Sequence, residues 1–381
     1  PQITNYQGPW KRFVSPSDKE FETVMKTCYN GFIVTPAKDF KASFHDEFRS
    51  AMEGLETEGF YQYDITQPAG LNTKLAKTFV TRCLVGEAGT TYKYLGLRMF
   101  SIPWNSTSTE SLKDTPTTSR HAVAIGRVNQ FMIQHSEKLL NQSGKKKIGS
   151  CQYNLTLINR CFPRSECVLK NEPAFEKDKC AVSWHADSTL EHFSTIGVYH
   201  CTSPTTTTTT TTTTNNSSHK ATTAEVAAVE DESWRVALRV WYDAEGPNAT
   251  RAVSSRAGEM SATSRIAPAL AVPLPSGAAY FLLDDFNHHH QHAVLAGDTH
   301  RYASTHRVCK TEGHTYQSVL AKCTRLLQVC TNTVPANSKL QFATKTIRAE
   351  QLAMQELEFE WLRQFYIQGQ KHADSHTWWH Q

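Results

Sequence analysis

In the segment Ser183-Trp184-His185-Ala186-Asp187 an imidazole and a carboxylate stand two residues apart. On a β-strand that spacing places both side chains on one face. One histidine and one carboxylate on a common face make two thirds of a 2-His-1-carboxylate triad. Such a triad holds non-haem Fe(II) and leaves positions open for oxygen and a cosubstrate. The H-x-D pattern alone is common, since any surface strand pair can produce it, so a second histidine from elsewhere in the chain is required.

The stretch "HHHQHAVLAGDTHRYASTHR", residues 288–307, supplies six histidines and two arginines. It reads as strand, Gly-Asp turn, strand. His292 directly precedes the apolar run of the first strand and is the favoured third ligand. Arg301 and Arg307 are six apart and share a face of the second strand. If the cosubstrate is 2-oxoglutarate, one end chelates the iron and the far carboxylate needs a buried cation. Arginine suits that need, because its planar fork takes a carboxylate bidentately and never loses its charge. A hairpin between the two strands would fold the cation back beneath the metal. His290 reads as lying beside the site or at the surface. His288 and His289 read as solvated, and His300 and His306 as satisfied or exposed bystanders.

These groups need a scaffold. The chain has 381 residues, 39% hydrophobic and 20% charged, which suits one large globular domain and a smaller one. Its net charge of +4 is compatible with a nucleic-acid partner but is weak evidence for one. Ten cysteines show no Cys-x-x-Cys pair, which argues against a zinc ribbon and for reduced intracellular thiols. No apolar run approaches a membrane span, and "PQITNYQGPWKRF" does not read as a signal peptide. Phe44, Phe48, Met52 and Leu55 mark an amphipathic helix. Strand-like runs follow in "KTFVTRCLVG", "TYKYLGLRMFSIPW" and "CQYNLTLINR". "GKKKIGS" reads as a solvated basic turn, with phosphate contact the sharper alternative. "WRVALRVWYD" alternates apolar residues with Arg235 and Arg239, the pattern of a half-buried strand. "LAVPLPSGAAYFLLDDF" reads as strand, turn, strand. Low-complexity insertions at 203–220 and 249–267 cannot build core.

After residue 308 two helices are expected. Val319, Leu320, Cys323, Leu326, Leu327 and Cys330 mark one face. Met354, Leu357, Trp361 and Phe365 mark another, with Gly369 at the C-cap. The division is therefore 1–308, helices packed on many strands, and 309–381, a partial helical domain.

The segments "VTRCLVGEAGTTYKYLGLRMFSIPW", "QYNLTLINR", "AVSWHADSTL", "YFLLDDFNHHHQHAVLAG", "RYASTHRV" and "LEFEWLRQFYIQG" stand in one order along nearly the whole chain. In that order they resemble the family of the fat-mass-and-obesity-associated protein, AlkB-type 2-oxoglutarate- and Fe(II)-dependent nucleic-acid demethylases. The resemblance implies an α+β fold, a double-stranded β-helix (jelly-roll) with flanking helices followed by a helical C-terminal domain. It implies His185, Asp187 and His292 as iron ligands. Arg301 would grip the distal carboxylate of 2-oxoglutarate, with Arg307, Tyr280 and Asn154 as further contacts. Arg82, Tyr94, Leu95, Val182, Ser183 and Trp184 would form the nucleobase pocket. A methylated base must be flipped out or single-stranded to enter such a pocket, and Tyr94, Leu95, Val182 and the His185 ring could wall it. The implied cofactors are Fe(II), 2-oxoglutarate and O2. The implied partner is RNA or single-stranded DNA, and the implied location is the nucleus. The implied reaction removes N-methyl groups, N6-methyladenine or N3-methylpyrimidines, and releases formaldehyde and succinate.

The chain departs from the family pattern at three positions near the site. Ala186 and Ser188 replace a histidine and an acidic residue around the H-x-D motif, which bears on base preference. Ala303 stands where the family has a serine, removing one hydrogen bond to 2-oxoglutarate, about 1 kcal/mol. Two other readings stand beside demethylation. One is a 2-oxoglutarate oxygenase acting on a protein or small molecule, which would not need Arg82 and Tyr94. The other is an inactive β-helix serving as a binding module, against which the intact triad speaks.

Overall fold

The computed structural model describes residues 13–66, 76–94, 97–104, 119–143, 149–175, 178–202, 234–240, 267–332, 344–358 and 360. Most of both low-complexity insertions, residues 144–148 of the basic turn, Leu95, Trp361, Phe365 and Gly369 lie outside them.

The strands in chain order are β1 (Phe13–Val14), β2 (Phe32–Thr35), β3 (Gln62–Thr66), β4 (Ala76–Gly86), β5 (Thr91–Tyr94), β6 (Leu97–Phe100), β7 (Ile102–Pro103) and β8 (Leu155–Cys161). They continue as β9 (Cys180–His185), β10 (Ile196–Thr202), β11 (Arg235–Val240), β12 (Ala269–Pro273), β13 (Ala279–Leu282), β14 (His290–Leu295) and β15 (Arg301–Arg307). The large sheet runs β2-β13-β10-β15-β8-β4-β3, with β7 beside β4; the small sheet runs β1-β12-β11-β14-β9. From β8 onward the chain passes back and forth between them: β8 large, β9 small, β10 large, β11 and β12 small, β13 large, β14 small, β15 large. That winding is the double-stranded β-helix, and with the flanking helices it makes the fold α+β.

Side-chain alternation gives each sheet two distinct faces. Leu84, Leu157, Val198, Val236, Leu238, Leu270 and Tyr280 meet between the sheets. After α1 (Phe21–Cys28), the helices α2 (Ala42–Thr57) and α3 (Arg120–Gln142) cover the outer face of the large sheet, through Phe48, Met52, Leu55, Ile125 and Met132 against Tyr199, Phe281 and Tyr302. α2 is the helix expected from its apolar spacing. α3 has no counterpart in the sequence reading. Its buried face interleaves Asn129 and Ser136 with Ile125, Val128 and Met132, which blurs the apolar stripe. Those polar groups are satisfied internally: Asn129 donates to the Tyr153 carbonyl at 2.8 Å and the Ser136 hydroxyl to the Met132 carbonyl at 2.8 Å.

Two expectations about the strands change. β14 and β15 do not form a hairpin. Both edges of β14 are already taken by β11 and β9, and β15 lies between β10 and β8. The five-residue link 296–300 crosses from one sheet to the other, which an extended chain of that length can do across the roughly 10 Å between packed sheets. β11 is buried on both faces rather than half-exposed, because it is an interior strand; Arg235 is accommodated by an ion pair with Asp178 at 2.6 Å.

Beyond the β-helix lie α5 (Tyr316–Asn332) and α6 (Thr344–Leu357). (The one-turn α4 is Phe286–His289.) In α5, Val319 and Cys323 are buried, while Leu320 and Leu327 face solvent. In α6, among the described side chains, Ala353 is buried, and Met354, expected inside, is exposed. No described helix is long and apolar enough to cross a membrane. The nine described cysteines are free thiols.

Candidate metal and cosubstrate centre

β14 lies antiparallel to β9 with His292 directly across from His185, and their rings stand 4.2 Å apart between centroids. Asp187 lies two residues past the end of β9 rather than on the strand. Strand geometry therefore does not hold it in place. Asn287, at the start of α4, clips its backbone instead: the Asp187 N–H donates to Asn287 Oδ1 at 2.9 Å, and Asn287 Nδ2 donates to the Asp187 carbonyl at 2.9 Å. The sequence reading missed Asn287, whose only signal is its place just before the histidine run.

One donor atom from each of His185, Asp187 and His292 lies within 4.8 Å of the other two. Among the described residues this is the one such group of three or more histidine, cysteine or acidic side chains. The protonation states suit a metal. Burial and the neighbouring His185 push His292 down to about 3, so its imidazole is neutral at physiological pH. His185 Nδ1 sits 2.8 Å from the Ser183 carbonyl, so it donates there and leaves Nε2 bare, 3.6 Å from Asp187 Oδ1. Burial alone would raise the Asp187 carboxyl, but Arg307, with His185 and His292, holds it far below the carboxylate range. Two imidazole nitrogens and an ionised carboxylate are the donor set that Fe(II) takes.

Arg307 grips Asp187 bidentately, Nε to Oδ2 and Nη2 to Oδ1, each at 2.8 Å. A carboxylate has about four lone-pair sites, so the pair leaves room for a metal. Arg307 thus orients the Asp187 carboxylate of the candidate metal site, while Arg301 has no carboxylate partner among the described residues. Arg301 is 2% exposed, lies 5.6 Å over the Trp234 ring, and its Nη1 reaches Cys161 Sγ at 4.0 Å. A buried guanidinium without a counter-charge is costly unless a ligand anion supplies one. Tyr280, on β13, is buried near both arginines and Asp187, and burial pushes its hydroxyl up to about 12 despite Arg301.

Other expected residues are placed differently. Both ends of the Asn154 amide bind the Cys309 backbone, Nδ2 to the carbonyl at 3.0 Å and Oδ1 from the N–H at 2.8 Å. Its remaining hydrogen and lone pair are what a ligand could use. The Trp184 ring lies on the face of β9 opposite His185; its Nε1 donates to Glu172, and Arg239 stacks on it at 4.7 Å. Ser183 is exposed and Val182 half-buried on the same strand. Arg82 is buried on the inner face of the large sheet, across from Asn159. The backbone of Tyr94 ends β5, and its side chain lies outside the description.

Among the bystander histidines, His290 is a buried core group. Its nitrogens meet the Phe286 carbonyl at 3.0 Å and the Cys28 carbonyl at 2.9 Å, and it stacks on Phe286. His306 is buried against Asn129, Thr156 and Ser304. Burial pushes His290 down to about 4 and His306 to about 3, as it does His292. Such depressed groups stabilise the fold while neutral. Below about pH 6.5 the unfolded chain binds protons that the folded chain refuses, so stability is lost as pH falls toward the folded values. We expect the metal-free protein to lose about 1.4 kcal/mol per histidine per pH unit between pH 6 and 4.5. Urea melts at these two pH values check it, and equal midpoints would contradict the burial of these rings.

The family model of the FTO catalytic domain matches residues 19–310, and that of the FTO C-terminal domain matches 314–381. The alpha-ketoglutarate-dependent dioxygenase FTO of Xenopus laevis is 28% identical over 402 aligned positions, covering 96% of this chain and 72% of that one. Among solved structures, a 2OG-Fe(II) oxygenase-family oxidoreductase from Burkholderia pseudomallei covers 81% of this chain and 98% of its own at 9% identity and a TM-score of 0.37. A prolyl hydroxylase from Trichoplax adhaerens, in complex with a hypoxia inducible factor peptide fragment, covers 75% and 86% at 11% identity and a TM-score of 0.36.

Proposed function

The chain belongs to the FTO family of 2-oxoglutarate-dependent dioxygenases, and on that premise we propose that it oxidatively demethylates N-methylated nucleobases in RNA or single-stranded DNA. The observation that carries the reading is the convergence of His185, Asp187 and His292 with a buried, anion-seeking Arg301 inside the same β-helix. Fe(II), when bound with 2-oxoglutarate and O2, supplies oxidation of the N-methyl carbon, after which the hydroxymethylated base loses formaldehyde.

The protein's own part is position and charge. His185 and His292 present bare nitrogens, and Asp187 is kept ionised and aimed by Arg307 and Asn287. Arg301 offers its fork to the far carboxylate of the cosubstrate, and burial of this face of the sheet keeps water from competing. A base substrate is supported by two features. Arg82 is a buried guanidinium able to donate to base acceptors, and Ser183 stands exposed on the face that carries His185. A base stacking on side chains here would gain about 1–3 kcal/mol.

The test is a panel of short single strands carrying N6-methyladenine or N3-methylpyrimidine, followed by mass spectrometry. We expect iron- and 2-oxoglutarate-dependent loss of methyl from the native protein and none from His292→Ala. Arg82→Ala should lower kcat/KM for the oligonucleotide about 10-fold or more while leaving 2-oxoglutarate affinity unchanged. Turnover of 2-oxoglutarate with no methylated strand consumed, and indifference to Arg82→Ala, would favour a protein or small-molecule substrate.

A further inference from the structure

The inner face of the large sheet carries a row of directly opposed residues: Arg82 on β4, Asn159 on β8, Ala303 on β15 and His200 on β10. Directly opposed residues on one sheet face stand about 5 Å apart, and diagonal neighbours about 7 Å, within reach of long side chains. Arg301 is the diagonal neighbour of both His200 and Asn159, on the same face two residues from Ala303. Ala303 therefore leaves a gap with no polar atom in the middle of a polar row.

The two residues flanking that gap carry buried polar atoms without hydrogen-bond partners. His200 is 0% exposed, and neither of its ring nitrogens makes a hydrogen bond. The Pro275 and Leu274 carbonyls are near enough to favour an N–H on it without reaching bonding geometry; burial first, and Arg301 second, outweigh them and keep the ring neutral. Asn159 Oδ1 and Arg301 Nε are likewise buried with no hydrogen bond. Natural proteins seldom leave buried polar atoms unmatched, and each one costs free energy until a partner arrives. Here three such groups, the Arg301 cation among them, stand on neighbouring strands around one gap.

We propose that His200 donates a hydrogen bond to the distal carboxylate of 2-oxoglutarate held by Arg301, filling the position at which Ala303 offers no donor. A carboxylate accepts about four hydrogen bonds, and a bidentate arginine uses only two. A neutral imidazole carries one N–H, and no described acceptor, the nearby Pro275 and Leu274 carbonyls included, takes it in bonding geometry. The inference rests on the reading of Arg301 as the cosubstrate cation. It adds a specificity element belonging to this chain: a dicarboxylate is favoured over a 2-oxo acid that chelates equally well but ends in a methyl group.

The experiment titrates 2-oxoglutarate and 2-oxobutyrate into the Mn(II)-loaded protein under anaerobic conditions and follows tryptophan fluorescence, with calorimetry as a second readout. We expect His200→Leu to raise the Kd for 2-oxoglutarate about 10-fold and to leave that for 2-oxobutyrate unchanged. His200→Gln, which keeps a donor, should recover part of the loss. Ala303→Ser in the His200→Leu background should do the same. If Arg301→Ala weakens 2-oxoglutarate while His200→Leu does not, the proposal is overturned and the Arg301 reading stands. If neither changes it, the Arg301 reading itself falls. Equal weakening of both ligands by His200→Leu would mark a structural role and also overturn the proposal.

Discussion

Asp187→Asn is expected to abolish turnover and, separately, to destabilise the metal-free protein by about 3–5 kcal/mol. The second effect follows from Arg307. Both side chains are buried, and the guanidinium makes two 2.8 Å bonds to the carboxylate. Asparagine keeps the shape but replaces one acceptor oxygen with an NH2 that points hydrogens at the hydrogens of Arg307. A cation is then buried without its counter-charge, which costs more than the pair contributed in the first place. His292→Ala should behave differently. It removes a neutral ring, so metal binding and turnover are lost, but the fold forfeits only packing, about 1–2 kcal/mol. Melts of both variants with and without Mn(II) separate the two roles. The native protein should gain stability on adding metal, and neither variant should. An Asp187→Asn protein that melts like the native metal-free form would show that the Arg307 pair contributes nothing to the fold. The pH dependence has a fixed sign. The carboxyl is depressed in the folded state, so its contribution is complete above the ordinary carboxylate range and is lost only as pH falls below that range.

The same residues show what the sequence could and could not disclose. His185, Asp187 and His292 were legible because metal chemistry restricts the residue types and because an apolar run after His292 announces a strand. Asp187 nevertheless comes to the site by a different route. It lies beyond the strand, fixed by Asn287 and Arg307, contacts made across 100 and 120 residues that no local pattern encodes. The two arginines were legible as a same-face pair, but their division of labour was not, since that depends on which one Asp187 reaches. The hairpin expected between β14 and β15 failed for a related reason. A Gly-Asp turn between two apolar runs looks the same whether the chain doubles back in one sheet or crosses to another; only the occupied edges of β14 decide it. His200 was invisible. Its significance lies in what stands opposite it on β15, and register between strands a hundred residues apart is a tertiary fact.

Glu360→Gln is expected to loosen the link between the C-terminal helices and the catalytic fold, lowering stability by about 3 kcal/mol. Glu360 is 3% exposed and accepts from Lys93 Nζ at 2.5 Å and Arg98 Nη2 at 2.9 Å, with Lys322 of α5 at 3.7 Å. Burial works to raise its carboxyl, but Lys93 and Arg98 hold it below the usual range. Arg98 is fully buried and also donates to Thr91 Oγ1 at 2.7 Å, and neutralising Glu360 removes the counter-charge from this buried cation. The figure is set at the low end of the range for breaking a buried pair, because Lys93 is partly exposed and solvent screens its share. Lys93 and Arg98 belong to the β5–β6 hairpin, whose Thr91 N–H donates to the His314 carbonyl at 2.8 Å, immediately before α5. The hairpin is thus clamped from the C-terminal side at both of its strands. On the proposed function, with Tyr94 ending β5 at the base pocket and Arg301 as the cosubstrate cation, the variant should raise KM for a methylated strand more than it changes 2-oxoglutarate affinity. Thermal melts, paired with separate KM values for the two substrates, test this. A Glu360→Gln protein that melts normally, or that loses both affinities in equal measure, would show that the carboxylate does not couple the helices to the hairpin.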